Sequence, residues 1–181
     1  MEHADDVALL RDGVGQSGGA WADLGSGHGA FTLALADLLG GSGTITSVDR
    51  DAAALRAQQQ AMSSRFPGVI VRYLAADFTR TLDLPPLDGV LMANALHFVR
   101  DKGAVLQTIR RLLKAGGRLV LVEYNADQGN VWVPHPLSYP TWEALARRSG
   151  LERTRLLATT PSRFLKEIYS ALSFKPADPA P

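Results

Sequence analysis

Trp21-Ala22-Asp23-Leu24-Gly25-Ser26-Gly27-His28-Gly29-Ala30-Phe31 is a short apolar run that breaks into three alternating glycines and resumes with helical spacing. It reads as a strand, a tight turn and a helix start. Glycine reaches positive φ without steric cost and lets a ligand approach bare backbone, so three glycines in five positions suggest a nucleotide-cradling loop. Gly25-x-Gly27-x-x-Ala30 also satisfies the dinucleotide-binding fingerprint, and a plain structural turn satisfies the same spacing. The loop by itself leaves these readings open.

Working outward, apolar and turn residues alternate at intervals of 20 to 30 residues. Val7 to Leu10 among acids suggests a short lead-in helix from Asp5 to Asp12, with little capacity to bind substrate, ended by the glycines at 13, 15, 18 and 19. Strands are expected at Ala20–Leu24, Thr44–Val48, Val69–Leu74, Leu87–Ala93 and Arg118–Tyr124. Helices are expected from Gly29 to Leu39, from Ala52 to Arg65 under an Asp51 cap, and from Asp101 to a stop at Ala115-Gly116-Gly117. A long loop, Asn125 to Tyr139, precedes a helix from Pro140 to Arg148 that Ser138 or Thr141 could cap. Two last strand-like runs, Arg153–Thr159 and Phe164–Phe174, are separated only by Thr160-Pro161-Ser162, too short for a crossover helix, so they should pair as an antiparallel hairpin. The expected fold is α/β: a doubly wound, seven-stranded, mostly parallel sheet with helices on both faces and an antiparallel C-terminal hairpin strand. Residues 1–174 are expected to form one domain, and the proline-rich segment 175–181 a disordered tail.

Composition narrows the chemistry. The 181 residues contain no cysteine, which excludes a disulfide framework, a thiolate zinc site and a cysteine nucleophile within them. No apolar run approaches the ~18 residues of a membrane span, and the acidic start Met1-Glu2-His3-Ala4-Asp5-Asp6 is unlike a signal peptide, so a cytoplasmic location is expected. The net charge of +1 argues against wholesale nucleic-acid binding. It conceals an asymmetry, with 6 Lys/Arg against 11 Asp/Glu in residues 1–99 and 13 against 7 in residues 100–181, but Arg110-Arg111 and Arg147-Arg148 read as solvated helix faces.

With these motifs in place the chain resembles the class I S-adenosylmethionine-dependent methyltransferases, over roughly residues 18 to 174. Asp23-Leu-Gly-Ser-Gly-His-Gly29 looks like the family's acidic, glycine-rich loop. Val48-Asp49 and Ala76-Asp77-Phe78 look like its acidic strand ends, and Lys114-Ala-Gly-Gly-Arg-Leu119 like its run into strand five. The terminal hairpin fits the family's antiparallel seventh strand beside the fifth. The resemblance implies S-adenosyl-L-methionine as cofactor and no metal. It implies that Asp23 meets the ammonium, that the backbone of Gly25, Ser26, Gly27 and Gly29 lies against methionine and ribose, and that Asp49 accepts the ribose hydroxyls. It further implies that Asp77 and the Phe78 amide read adenine, that Phe78 or Arg50 flanks the base, and that Asn94 stands beside the cofactor at the strand-four exit. An acid at a strand exit is elsewhere a turn former, but three at consecutive exits fit the rule that parallel-sheet ligands bind at the switch point.

The acceptor should sit near Asn94-Ala95-Leu96-His97-Phe98 and Glu123-Tyr124-Asn125, with His97 as candidate general base and Tyr124 as candidate orienting group. Trp132, His135 and Tyr139 are candidate pocket residues on a loop that would close the site over a short N-terminal segment, and a homodimer is left open. Asn94-Ala95-Leu96-His97 departs from the Asn/Asp-Pro-Pro-aromatic motif of related amino-methylating enzymes, which favours a small-molecule oxygen, nitrogen or carbon acceptor. A non-catalytic cofactor-binding partner subunit and an NAD(P)-dependent oxidoreductase are the alternatives. His28 is unlike the small residue or Thr often found at this place in the family.

Overall fold

A computed structural model describes residues 2–15 and 18–178. The strands are β1 (Gly19–Leu24), β2 (Gly43–Asp49), β3 (Ile70–Ala75), β4 (Leu87–Ala93), β5 (Leu113–Tyr124), β6 (Glu152–Ser162) and β7 (Lys166–Phe174). The helices are α1 (His3–Val14), α2 (Ala30–Leu39), α3 (Ala52–Arg65), α4 (Lys102–Leu112) and α5 (Tyr139–Arg148). The sheet order is β3-β2-β1-β4-β5-β7-β6, with β7 antiparallel to both of its neighbours and the other pairings parallel. This is the expected seven-stranded, doubly wound sheet. An all-parallel dinucleotide-binding sheet has no reversed strand at that place.

Strand residues alternate between two apolar layers. Ala22, Leu24, Val90, Met92, Leu119 and Leu121 pack with α4 and α5, against Ile109 and Trp142. Trp21, Leu91, Val120 and Val122 pack with α1 and α2, against Leu10 and Leu35. Burial on both faces is why these strands read as nearly continuous hydrophobic runs. The caps follow the expected chemistry: Asp51 accepts from Ala53 N and Ala54 N, Asp101 from Gly103 N, and Ser138 Oγ from Thr141 N. Among the described residues no helix is long and apolar enough to cross a membrane.

Three boundaries differ from expectation. α4 stops at Leu112, and Leu113 to Gly117 already belong to β5: Leu113 pairs with Leu87, and the register slips before Arg118 pairs with Gly89. A glycine bulge inside a strand carries the same residues as a helix stop, so composition does not separate them. Thr160-Pro161-Ser162 is strand, and the turn lies at Arg163–Leu165. Pro161 is tolerated because β6 is the sheet edge and needs no outward N–H. The lead-in helix is longer than expected and docked, not peripheral: His3 Nε2 meets Asp37 Oδ2 of α2 at 3.2 Å, and Arg118 Nη1 donates to the Val14 carbonyl at 2.7 Å. The expected tail begins tied down, with Lys175 N donating to Gly117 O and Lys175 Nζ to Leu113 O. Residues 179–181 of that tail lie outside the described residues.

Candidate cofactor and acceptor site

β1 runs outward to β2 and β3 on one side and neighbours β4 on the other, so the switch point lies between the β1 and β4 exits. A cavity of about 310 Å³ opens there, lined by Asp23, the loop Gly25–Gly29, Phe31, Ala93 and Asn94, and also by Asp6 of α1. Gly25, Gly27 and Gly29 all have positive φ, at 78°, 53° and 87°. Gly25 N and Ser26 N both donate to Val48 O, which fastens the loop to β2, and Ser47 Oγ donates to Ser26 Oγ at 2.7 Å. A Cβ on Gly29 would stand 2.3 Å from Cγ of Gln58, a buried α3 side chain whose amide donates to Gly27 O.

Asp23 is 1% exposed. Its Oδ2 accepts from Thr32 Oγ1 at 2.5 Å, and its Oδ1 is buried with no partner among the described residues. Burial pushes its carboxyl up to about 7 against the pull of Thr32, with Asp49 adding repulsion. A cationic donor at Oδ1 would offset both the burial and the repulsion from Asp49. The folded value lies above the ordinary 3.8, so between the two the folded chain keeps a proton that the unfolded chain has released, and stability falls as pH rises through that window. Asp23→Asn cannot ionise. In thermal denaturation without ligand it should melt above the wild type, by a margin that grows from pH 5 to pH 8; a margin independent of pH would contradict this.

Asp49 bridges the loop and α3: Oδ2 accepts from Gly27 N at 2.7 Å and Oδ1 from Asp51 N at 2.8 Å. Each oxygen keeps a lone pair for a further donor. Asp77 is more exposed, and its Oδ1 accepts from Thr79 Oγ1 and N. Those bonds, with Arg80 and the exposed Arg50 nearby, hold its carboxyl below the usual range. The Phe78 ring reaches the loop, its Cε1 lying 3.0 Å from where a Gly25 Cβ would be. Asp49 and Phe78 therefore meet the glycine loop, and none of Asp49, Arg50, Asp77 and Phe78 lines the 310 Å³ cavity. Asn94 has φ 50°, a left-handed conformation rare outside glycine, with its Oδ1 buried and unpartnered. His28 is exposed on the cavity rim.

A second cavity, about 540 Å³, shares Asn94 and is walled by Tyr124, Phe164, Ile168, Pro161 and Asp5. Its outer wall is the β6–β7 turn and not the 125–139 loop. Trp132 is 70% exposed and His135 is exposed; neither lines this cavity, and the Tyr139 hydroxyl donates to Glu143 on its own helix. His97 is 3% exposed and lines neither cavity. Its Nδ1 lies 3.0 Å from both oxygens of Glu123, which also accept from His97 N and Tyr124 N. Its ring packs against Phe98 and edge-on to Tyr124, with centroids 4.2 and 5.6 Å away. Burial and Glu123 raise the Tyr124 phenol, which stays a hydrogen-bond donor at neutral pH.

Sequence reasoning passed over Asp6, Thr32 and Phe164, which carry no local signal, and named Glu123 only as part of the strand-five exit.

The family described as "Methyltransferase domain" matches residues 22–121, more than half of the chain. An arsenite methyltransferase of Aquipseudomonas alcaligenes is 32% identical over 158 residues, 77% of this chain and 46% of that protein. A ubiquinone/menaquinone biosynthesis C-methyltransferase of Pasteurella multocida is 34% identical over 107 residues, 57% of this chain and 39% of that protein. The chain thus spans less than half the length of these curated relatives. The Bacillus subtilis protein YcgJ superposes with a TM-score of 0.76 at 13% identity, covering 97% of this chain and 100% of that one. The 1,6-didemethyltoxoflavin-N1-methyltransferase of Burkholderia thailandensis, solved with its substrate and S-adenosylhomocysteine, superposes with a TM-score of 0.74 at 18% identity, covering 96% and 78%.

Proposed function

The chain belongs to the methyltransferase-domain family, within the class I S-adenosylmethionine-dependent methyltransferases, and from that premise we propose that it moves a methyl group from this cofactor to a small acceptor held against Tyr124. The observation that carries the reading is the buried, unpartnered Oδ1 of Asp23 in a cavity floored by positive-φ glycines, with Asp49 bridging to the same loop. In this reading Asp23 takes the ammonium, and the backbone of Gly25, Ser26, Gly27 and Gly29 supports methionine and ribose. Asp49 takes the ribose diol, Asp77 and the Phe78 amide take the adenine edge, Phe78 or Arg50 flanks the base, and Asn94 borders the methyl-bearing end. The bound cofactor supplies an electrophilic methyl on a sulfonium. The protein then mainly has to align the acceptor atom and exclude water, which requires little dedicated machinery.

Tyr124, a protonated phenol on the wall of the second cavity, orients the acceptor by hydrogen bonding. His97 acts as a positioning residue: Glu123 fixes its ring, and its ring fixes Tyr124. A base must reach the acceptor proton within hydrogen-bond distance or through one water, and His97 stands on neither cavity wall. Phe164, Ile168 and Pro161 give an apolar part of the acceptor a surface to pack on, beside the polar Thr160, Ser162 and Arg163 of the same lining. The 181 residues hold no cysteine and so offer arsenite no thiolate.

A panel of phenolic, heteroaromatic and enolisable acceptors with labelled cofactor tests the reading, and methyl transfer to at least one is the expected result. With that acceptor, Phe164→Ala should raise KM about tenfold, the loss of roughly 1–2 kcal/mol of aromatic contact. Its affinity for S-adenosylhomocysteine should stay unchanged. Equal loss of both would place Phe164 outside the acceptor site.

A further inference from the structure

We infer that Asp6 of the lead-in helix is a cofactor-binding residue, forming with Asp23 a two-carboxylate cradle for the ammonium end of the cofactor's amino-acid tail. This rests on reading the 310 Å³ cavity as the S-adenosylmethionine site.

Asp6 is 4% exposed on a helix whose other buried residues include Val7, Leu9, Leu10 and Val14. A carboxyl in such surroundings costs free energy unless its oxygens are hydrogen-bonded, and Asp6 Oδ1 is buried with no partner among the described residues. Nearby positive charge compensates it only in part: the amino terminus and His3 lower the Asp6 carboxyl without offsetting its burial. His3, one turn earlier, meets Asp37 of α2, and Asp5 adds a like charge. Burial accordingly raises the Asp6 carboxyl above its ordinary range. An apolar residue here would make a more stable helix-to-sheet contact, so the acid has no packing rationale.

Its place supplies one. Asp6 and Asp23 both line this cavity, reaching it from different elements, α1 and β1, and each has a buried oxygen without a donor among the described residues. The remaining titratable group of the lining is the exposed His28. A ligand that satisfies both acids must be cationic and carry several donors in a small volume. An ammonium group has three N–H donors and one positive charge, enough to give one bond to each carboxylate. Neither the ribose nor the adenine offers that combination. The short α1 is then a working wall of the cofactor site, held by Arg118 at its C-terminal carbonyls and by His3–Asp37 at its start.

Asp6→Asn keeps the shape and removes the charge. It should weaken S-adenosylmethionine and S-adenosylhomocysteine by about tenfold to a hundredfold, the range of a lost charge-assisted hydrogen bond. The affinity for 5′-methylthioadenosine, which lacks the amino-acid tail, should stay within about twofold. The ligand-free variant should melt no lower than the wild type, since a strained acid has been removed. A second test uses the wild-type chain: amides of residues 3–14 should exchange more slowly with S-adenosylhomocysteine bound than with 5′-methylthioadenosine bound. Unchanged S-adenosylhomocysteine affinity in the variant, an equal loss for 5′-methylthioadenosine, or no difference in α1 exchange would each overturn the inference. Failure of the wild-type chain itself to bind S-adenosylhomocysteine would instead overturn the reading beneath it.

Discussion

Asp49→Ala should lower the affinity for S-adenosylhomocysteine by about two orders of magnitude, as measured by titration calorimetry at pH 8. The carboxylate is already oriented: one oxygen is fixed by Gly27 N and the other by Asp51 N. Little ordering entropy is left to lose when a diol arrives, and each oxygen can accept one more hydroxyl. Two hydrogen bonds to a charged acceptor contribute roughly 1.5–3 kcal/mol apiece. Part of that is offset by water reaching the vacated site, and about 3 kcal/mol of net loss corresponds to roughly a hundredfold. The substitution also frees Gly27 N and unfastens the loop. Asp49→Asn, which keeps one acceptor oxygen, should lose less. A loss under about threefold for the alanine variant would mean that Asp49 serves the fold and not the ligand.

Gly25→Ala should be the most damaging substitution in the loop. The residue sits at φ 78°, where an L side chain is strained by about 1–2 kcal/mol. The new Cβ would lie 2.6 Å from the Cβ of Ala95 and 3.0 Å from the Phe78 ring. Ala95 has no rotamer to escape into, so the backbone of the loop or of the β4 exit must shift, at roughly 1–3 kcal/mol more. For a domain of this size that corresponds to a melting temperature lower by about 5–15 °C, with cofactor affinity lost because the loop no longer holds its shape. At Gly29 the contact is the flexible Gln58 side chain, and the penalty should be smaller. Ala95→Gly removes the close contact but not the backbone strain. In a double-mutant cycle it should therefore recover part of the stability of Gly25→Ala. No recovery would show that strain alone accounts for the defect.

Much of this architecture was legible because local chemistry and the tertiary fold agree. The alternation of β-branched and apolar runs with glycine- and aspartate-punctuated helices specified the parallel sheet, and Asp51, Asp101 and Ser138 cap the helices that their positions suggest. The brevity of the last connection required an antiparallel pair, and β7 lies reversed between β5 and β6. Where one residue type serves two structures, reading from sequence falters. Gly116-Gly117 ends a helix or makes a bulge, and Pro161 ends a strand unless the strand is an edge.

The site divides in the same way. Asp23, Asp49 and Asp77 announce themselves through the strand exits they occupy. Asp6 and Phe164 do not, because their meaning depends on cavities shared with residues distant in the chain, Asp6 with Asp23 and Phe164 with Asn94, and the bond between Glu123 and His97 is likewise visible only in the fold. For His97, the strand-exit position suggests a base from the sequence, while the bond of its Nδ1 to Glu123 and the packing of its ring on Tyr124 are visible only in the fold.

The central claim is that the glycine loop and its acids form an S-adenosylmethionine site. It is tested most directly by titrating the wild-type chain with S-adenosylhomocysteine and, separately, with NAD, at pH 8, above the value of about 7 to which burial pushes the Asp23 carboxyl. Saturable binding of S-adenosylhomocysteine at one site per chain, with no binding of NAD, is the predicted result. Binding of NAD, or no binding of S-adenosylhomocysteine, would contradict it.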